Sequence, residues 1–505
     1  MIFKKNYNFF FYILILIIFS HFIPFERASL APDDYAFFKF QNLWFKNFIY
    51  YPDRPLQFLW YEVQNLFINN NVNFAFYTLI FANYLFLSLS FIFYNLFFEN
   101  KTSFYISIIN ILIFNKLEIF HNAIMIHIIF VTSLYLISLI LLINYFKYKK
   151  NTYLIFSYLT YFISIFWYEI GFFLPLIIFF VNFKDYKNFN LSIFADFKKK
   201  FYVIFPFLLI IFTYAVLRTT SLFGYALNTT SHSIILNPLP GTLELFHHYF
   251  GRYLIKNIVY SLFQLQFITY IYLFIFLSFN LLTVYLISKH YKNIDIKKKY
   301  LIFFILIFIF SIVPILLNGQ AGGRNLLLAN ISVSYFIFLI FNFLKKYYYN
   351  SFTILILILL FISQGTSWSQ TVASRIQNAI FNAIIENEHL ISEKKYIIFD
   401  TFSLKKNIKH SLVNNDYNLI NTYYGSQVWE SWGMSGFLNK NKIDKKLIIT
   451  NKLPLVDSNT ITINQVLSID NYNIQSKILN LKTEDVFILN YNKIFPTGFT
   501  NGNKQ

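Results

Sequence analysis

Runs of Phe, Ile, Leu and Tyr, several close to the width of a bilayer, alternate along this chain with short clusters of Lys, Asn and Asp. A helix crossing the hydrocarbon layer needs about 20 apolar residues. Segments with that character fall at 7–25, 74–98, 104–114, about 122–146, 153–167, about 170–183, 201–217, a stretch ending near 288, 300–318, about 325–344 and 351–363. From residue 365 the pattern changes. A helix is predicted over 371–390, and strand-like pieces follow at 395–400, 446–450, 460–469 and 485–491. The pattern predicts an α-helical polytopic membrane protein of about 11 transmembrane helices with a small C-terminal α/β extracytoplasmic domain. Residues 1–364 form the transmembrane part, with an amphipathic first external loop over 26–73, and residues 365–505 form the α/β part.

Composition supports this. Of 505 residues 57% are hydrophobic and 13% charged, about half the charge of an ordinary soluble domain. The net charge of +19 comes mostly from lysines in short loops, the signature of cytoplasmic flanks, and not of nucleic-acid binding. Lys4 and Lys5 set the N-terminus inside. The basic clusters after residues 146, 183, 288 and 344 then set an extracytoplasmic C-terminus. A cleaved signal peptide ending at Ser29-Leu30-Ala31 is the competing reading of the first run. With no cysteine, disulfides and thiol chemistry are excluded.

The rare charges lie on the predicted external side. Pro32 and the adjacent acids Asp33 and Asp34 open a helix predicted over 35–50, whose aromatic face with Lys39 and Lys46 suits the interface plane; a second such helix is predicted from Pro55 to Phe67. The two acids either cap the first helix or form a carboxylate pair held at headgroup depth. Glu118 lies in a short turn with Lys116 and His121, and Glu169 at the tip of a tight hairpin after Trp167-Tyr168. An acid at membrane depth costs about 2.5–3.5 kcal/mol, so it faces a cavity or an internal cation. All six arginines (Arg27, Arg54, Arg218, Arg252, Arg324, Arg375) fall on the same external side. A guanidinium grips phosphate with two parallel bonds, so Arg54, Arg252 and Arg324 are candidate phosphate ligands. Gly322-Gly323 lets the backbone come close beside Arg324. His247-His248 is a weaker metal candidate, because adjacent side chains diverge on a helix. Tyr423, Tyr424, Trp429 and Trp432 either stack on sugars or pack against the membrane part.

This layout resembles the GT-C class of membrane glycosyltransferases, above all bacterial members that use polyprenyl-phosphate sugars. The resemblance spans roughly residues 1–345 and rests on Asp33-Asp34 after the first span, Arg54-Pro55 before the second, Tyr168-Glu169 at a short external hairpin, and an external C-terminal domain. Many relatives carry Gly before the Arg-Pro where this chain has Asp53. The resemblance implies an inverting hexosyl or pentosyl transferase of the bacterial inner (cytoplasmic) membrane. It would move a sugar from a polyprenyl-phosphate donor to a glycan, lipid or protein acceptor of the cell envelope. Asp33 would be the general base, Asp34 would hold the acceptor, and the arginines would neutralise the leaving phosphate; Glu169 and Glu118 are supporting acids. Some relatives need a divalent metal and others do not, so no cofactor is assigned. Two other classes remain open. A polysaccharide polymerase or ligase would carry a large central external loop. A transporter or flippase would carry mid-span charges and broken helices in paired halves.

Overall fold

The computed structural model describes residues 2–23, 55–68, 72–113, 120, 122–182, 190–191, 197–219, 239–251, 255, 258–262, 268–290, 300–318, 323–344, 350–407, 412–414, 421–423, 426–429, 434–435, 437–438, 441–450, 452–469 and 472–496. Helices dominate. They are α1 (Ile2–Ile17), α2 (Pro55–Ile68), α3 (Val72–Tyr94), α4 (Asn100–Leu112), α5 (Ile126–Tyr148), α6 (Asn151–Trp167), the single turn α7 (Ile177–Phe180), α8 (Phe197–Thr219), α9 (Leu239–Tyr249), α10 (Tyr270–His290), α11 (Leu301–Asn318), α12 (Leu327–Leu344) and α13 (Ser351–Glu386).

Among the described residues, six of these helices are long and apolar enough to cross a membrane: α3, α5, α8, α10, α12 and α13. Shorter apolar helices cover Asn8–Phe22, Glu169–Phe180 and Leu301–Leu316. The chain is therefore a polytopic helical protein, and the expected count of about eleven is not reached by length and composition. Every predicted segment does contain helix, so the shortfall is one of length and, in α4 and α6 with their Asn, Ser, Thr and Tyr residues, of apolar character. α4 has 13 residues, about 20 Å of rise against a layer of about 30 Å. The sixth predicted segment breaks into two 3₁₀ turns before α7, because Gly171 and Pro175 interrupt it.

The helices hold one another with buried polar pairs. The Tyr94 hydroxyl donates to the Ile331 carbonyl at 2.8 Å, tying α3 to α12. The Ser138 and Ser157 hydroxyls meet at 3.0 Å between α5 and α6. Asn280 and Gln364 exchange two amide bonds of 2.9 Å between α10 and α13. Pairs of this kind are worth about 0.6–2 kcal/mol in an apolar medium. Helix α1 runs into a π-helical turn, Ile18–Phe22, and the Ser367 hydroxyl of α13 donates to the His21 and Ile23 carbonyls there, at 2.8 and 2.9 Å.

The boundary expected between residues 364 and 365 falls inside α13, 36 residues without a break. The turn to polar composition that suggested it is absorbed within the helix. Ser363 and Thr366 bond carbonyls four residues back, as does Thr371, while Ser369 and Ser374 reach three back. All are buried.

Beyond α13 lie α14 (Glu388–Ser392), α15 (Thr401–Asn407), α16 (Tyr491–Ile494) and most of the strands. Two-residue strands β1 (Val181–Asn182) and β2 (Asn190–Leu191) pair before α8. The main sheet contains β3 (Tyr396–Asp400), β7 (Lys446–Thr450), β8 (Leu455–Val456), β9 (Thr460–Ile469), β10 (Tyr472–Lys482) and β11 (Val486–Leu489), in the order β10-β9-β7-β3-β11 with β8 on β9. β3 runs parallel to β7 and β11; β9 is antiparallel to β7 and β10. The four predicted strands are β3, β7, β9 and β11. Their alternation separates two faces. Ile397, Phe399, Leu447 and Ile449 join the core of the helical part, while Ile398, Ile448 and Val486 form a second core with Ile461 and Ile463. The Phe381 and Phe437 rings stack at 3.8 Å, fastening this region to α13. A small sheet, β4 (Leu412–Asn414), β5 (Asn421–Tyr423) and β6 (Ser426–Trp429), also lies against α13 through β5 and β6.

Candidate functional site

The Tyr168-Glu169 turn is the best-defined part of the candidate site. α6 ends at Trp167, Tyr168 is extended, and Glu169 opens a 3₁₀ turn. The Tyr135 hydroxyl donates to the Tyr168 carbonyl at 2.9 Å, and the Tyr161 hydroxyl to the Phe172 carbonyl at 2.6 Å. Gly171 is required here, because a Cβ would stand 2.5 Å from the Tyr135 ring. Two phenols and a missing side chain thus fix the turn that carries Glu169, which is partly buried.

Other segments converge on Tyr168. Its hydroxyl donates to Asn325 Oδ1 at 3.3 Å. Asn325 follows Arg324 in the 3₁₀ turn Gly323–Leu326, which leads into α12. The Tyr168 ring lies 6.0 Å from His127, and His127 meets Tyr61 of α2 edge-on at 5.4 Å. Trp60 of α2 packs on Trp167 at 5.6 Å and on Phe130 at 5.3 Å. α2 begins at Pro55, whose fixed φ suits a first helical position, so its start directly follows Arg54.

α9 closes on the same region from another side. Leu245 packs with Leu326 and Ile315, and the Tyr249 hydroxyl donates to Asn330 Oδ1 at 2.9 Å. Gly241 permits this approach, since a Cβ would stand 2.8 Å from the Leu316 backbone.

Asp33, Asp34, Arg54, Glu118 and Arg252 lie outside the described residues, as does the helix predicted over 35–50. Arg324 is described in its backbone alone. What the described residues link are the segments that adjoin these groups: α2 after Arg54 and His127 after the Glu118 turn meet the Tyr168-Glu169 turn, Tyr168 bonds Asn325 after Arg324, and α9 before Arg252 packs on Leu326 and Asn330. His247 and His248 sit in the last turn of α9, and among the described residues no group of three or more His, Asp or Glu could hold a metal ion. β5 and β6, within the aromatic segment 422–433, lie against α13; Tyr424 and Trp432 are outside the described residues.

Sequence reasoning did not single out Asn325, His127, or Trp60 and Tyr61 as site residues. A signal for the last two was present: Gln57, Trp60, Tyr61 and Gln64 repeat at the spacing of one helix face. No protein-family model matches the chain, no curated protein matches it, and no solved structure matches it.

Proposed function

We propose that this chain is an integral membrane glycosyltransferase, transferring a hexosyl or pentosyl unit from a polyprenyl-phosphate donor to a cell-envelope glycan, lipid or protein on the external face of a bacterial cytoplasmic membrane. The observation that carries the reading is the convergence around Tyr168. Stretches far apart in sequence, each adjoining an arginine or an acid, are linked by ring contacts and hydrogen bonds through Tyr168 and Asn325. A lipid-linked sugar phosphate needs that combination: cations for the phosphate, an acid near the reacting carbon, and apolar flanks for the chain.

In this reading the chain spans the membrane about eleven times with its N-terminus inside. Asp33 takes the proton from the acceptor hydroxyl as the oxygen attacks the anomeric carbon. Asp34 positions the acceptor. The C–O bond to the donor phosphate breaks with inversion, and Arg324, Arg54 and Arg252 stabilise the departing polyprenyl phosphate. Glu169, on the turn held by Tyr135 and Tyr161, orients the reacting groups, and Glu118 is the second supporting acid.

The test is direct. Purified protein in lipid nanodiscs receives either a polyprenyl-phosphate sugar or a nucleotide sugar, with candidate acceptors. Transfer from the lipid-linked sugar is expected. Turnover with the nucleotide sugar alone, without any lipid carrier, refutes the reading.

A further inference from the structure

The parallel strands β3, β7 and β11 share a direction, and their two ends differ in charge. They begin beside α14. The Lys445 ammonium donates to the Ser392 carbonyl at 2.8 Å, and the Lys395 N–H donates to the Asp485 carbonyl at 2.9 Å. This end mixes signs. Lys395 pairs with Asp485 at 3.1 Å and Lys482 with Glu484 at 3.5 Å, and Glu393 and Asp444 adjoin them in sequence. At the other end β3 passes into α15, β7 leads to Lys452, and β11 leads to α16. Among the described residues the only acid there is Asp400, which is 2% exposed and accepts the Ser403 N–H at 3.1 Å.

Helix α15 turns a basic face outward from this second end. It lies against β7 and against α16. The Thr401 hydroxyl donates to the Thr450 carbonyl at 2.8 Å, and the Tyr491 N–H donates to the Ser403 hydroxyl at 3.0 Å, which locks the three strand ends together. Thr401 and Leu404 are fully buried. Positions 402, 405 and 406 share the other side of the helix. Phe402 is 40% exposed there, and Lys406 and the nearby Lys452 are exposed. A ring set among lysines on one helix face is the composition of a helix that lies on a lipid surface.

Direction and reach name that surface. α14 follows directly on α13, and Ile397 and Phe399 of β3 join the core that holds Ile380, Phe381 and Ile384 of α13. At the strands' other end α16 touches α13 again. Strands that start at the end of a helix and finish against the same helix run back along it. α13 outruns a layer of about 30 Å by some 20 Å, and strands of four or five residues return about 13–17 Å of that. The basic end of the sheet is thereby brought to headgroup depth. The covalent tether also keeps it at high effective concentration over the bilayer, an advantage no free partner has.

We propose that the outward face of α15 rests on the membrane that α13 crosses and binds anionic phospholipid headgroups. Lys405, Lys406 and Lys452 meet the lipid phosphates, and the Phe402 ring sits between the headgroups. This contact is independent of the reaction carried out in the membrane part.

The chain has no cysteine, so Phe402→Cys takes a single NBD fluorophore whose ring replaces the phenyl. The full chain is held in phosphatidylcholine nanodiscs with or without phosphatidylglycerol, and a nitroxide on the lipid headgroup serves as quencher. The same label at Lys482→Cys, at the opposite end of the sheet, is the control. Label at 402 is expected to shift to the blue and to be quenched in the phosphatidylglycerol discs, and label at 482 to do neither. Lys405→Gln with Lys406→Gln should weaken the contact about 30-fold, and molar salt should release it. Quenching at 402 no greater than at 482, or quenching indifferent to both lipid charge and the two lysines, overturns the proposal. A blue shift without lipid quenching, which would set the face against a second copy or another protein, overturns it as well.

Discussion

Replacing Gly365 by alanine sets two effects of known sign against each other. Alanine is the better helix former by about 0.8–1.0 kcal/mol, so on local grounds Gly365→Ala should stabilise α13. The neighbourhood opposes this. A Cβ at 365 would stand 2.1 Å from the Ser261 carbonyl oxygen and 3.0 Å from its Cα, and both are backbone atoms that cannot rotate away. Relief requires the 258–262 segment to withdraw from α13. That movement stretches the 2.7 Å bond between the Ser261 and Thr366 hydroxyls, and it loads the Asn280–Gln364 amide pair next to it on the helix. Overpacking costs about 1–3 kcal/mol and each weakened bond about 0.6 kcal/mol or more. The net after subtracting propensity is a loss of about 1–4 kcal/mol. Unfolding by SDS in mixed micelles measures it, with Thr366→Val as the comparison. Thr366→Val removes the hydroxyl pair at nearly constant volume and should cost about 0.6 kcal/mol. A Gly365→Ala protein as stable as wild type, or more so, refutes the close approach.

Other expectations concern the proposed activity. Asp33→Asn should lower transfer by about 10²–10⁴-fold, as loss of a general base does, in protein that remains folded and inserted; near-normal transfer by the double Asp33→Asn, Asp34→Asn variant leaves the pair a capping role. Arg324→Lys keeps the charge but loses the two-pronged phosphate grip, so donor affinity should fall well below wild type in a lipid-phosphate binding assay. Reporter fusions at Asn151, Asn293 and Asn503 should read inside, inside and outside. A cytoplasmic C-terminus would remove the external site altogether.

Some of the fold was legible in residue patterns and some was not. β3, β7, β9 and β11 were visible as short runs rich in β-branched and aromatic residues: YIIFD and KLIIT are near-continuous apolar runs, as strands buried on both faces are. β10 escaped notice because Asn, Gln, Ser and Lys interrupt it, YNIQSKILNLK. Its partner β9 supplies the pairing that its own pattern does not declare. The polar tract 363–377 carries a different meaning. Ser and Thr on a helix can bond the helix itself, so the polarity there marks a buried stripe within one continuous helix. At the site, the Tyr168-Glu169 turn was readable from a carboxylate between two apolar runs. Asn325 and His127 were not, since their part depends on contacts 157 residues apart and on ring packing.

The length of α13 has a mechanical consequence. Its 36 residues rise about 54 Å, while the hydrocarbon layer is about 30 Å thick. Some 20 Å of shaft therefore stands clear of that layer, and the Phe381–Phe437 contact mounts the sheet near its far end. Anything mounted on a helical shaft obeys its gearing. One residue inserted between Gln377 and Phe381 would swing the mounted sheet by about 100° and raise it about 1.5 Å. Seven residues, close to two full turns, would return it to nearly its original facing about 10 Å higher. Facing and height of the C-terminal sheet are thus two settings of a single rod, separable by the number of residues inserted.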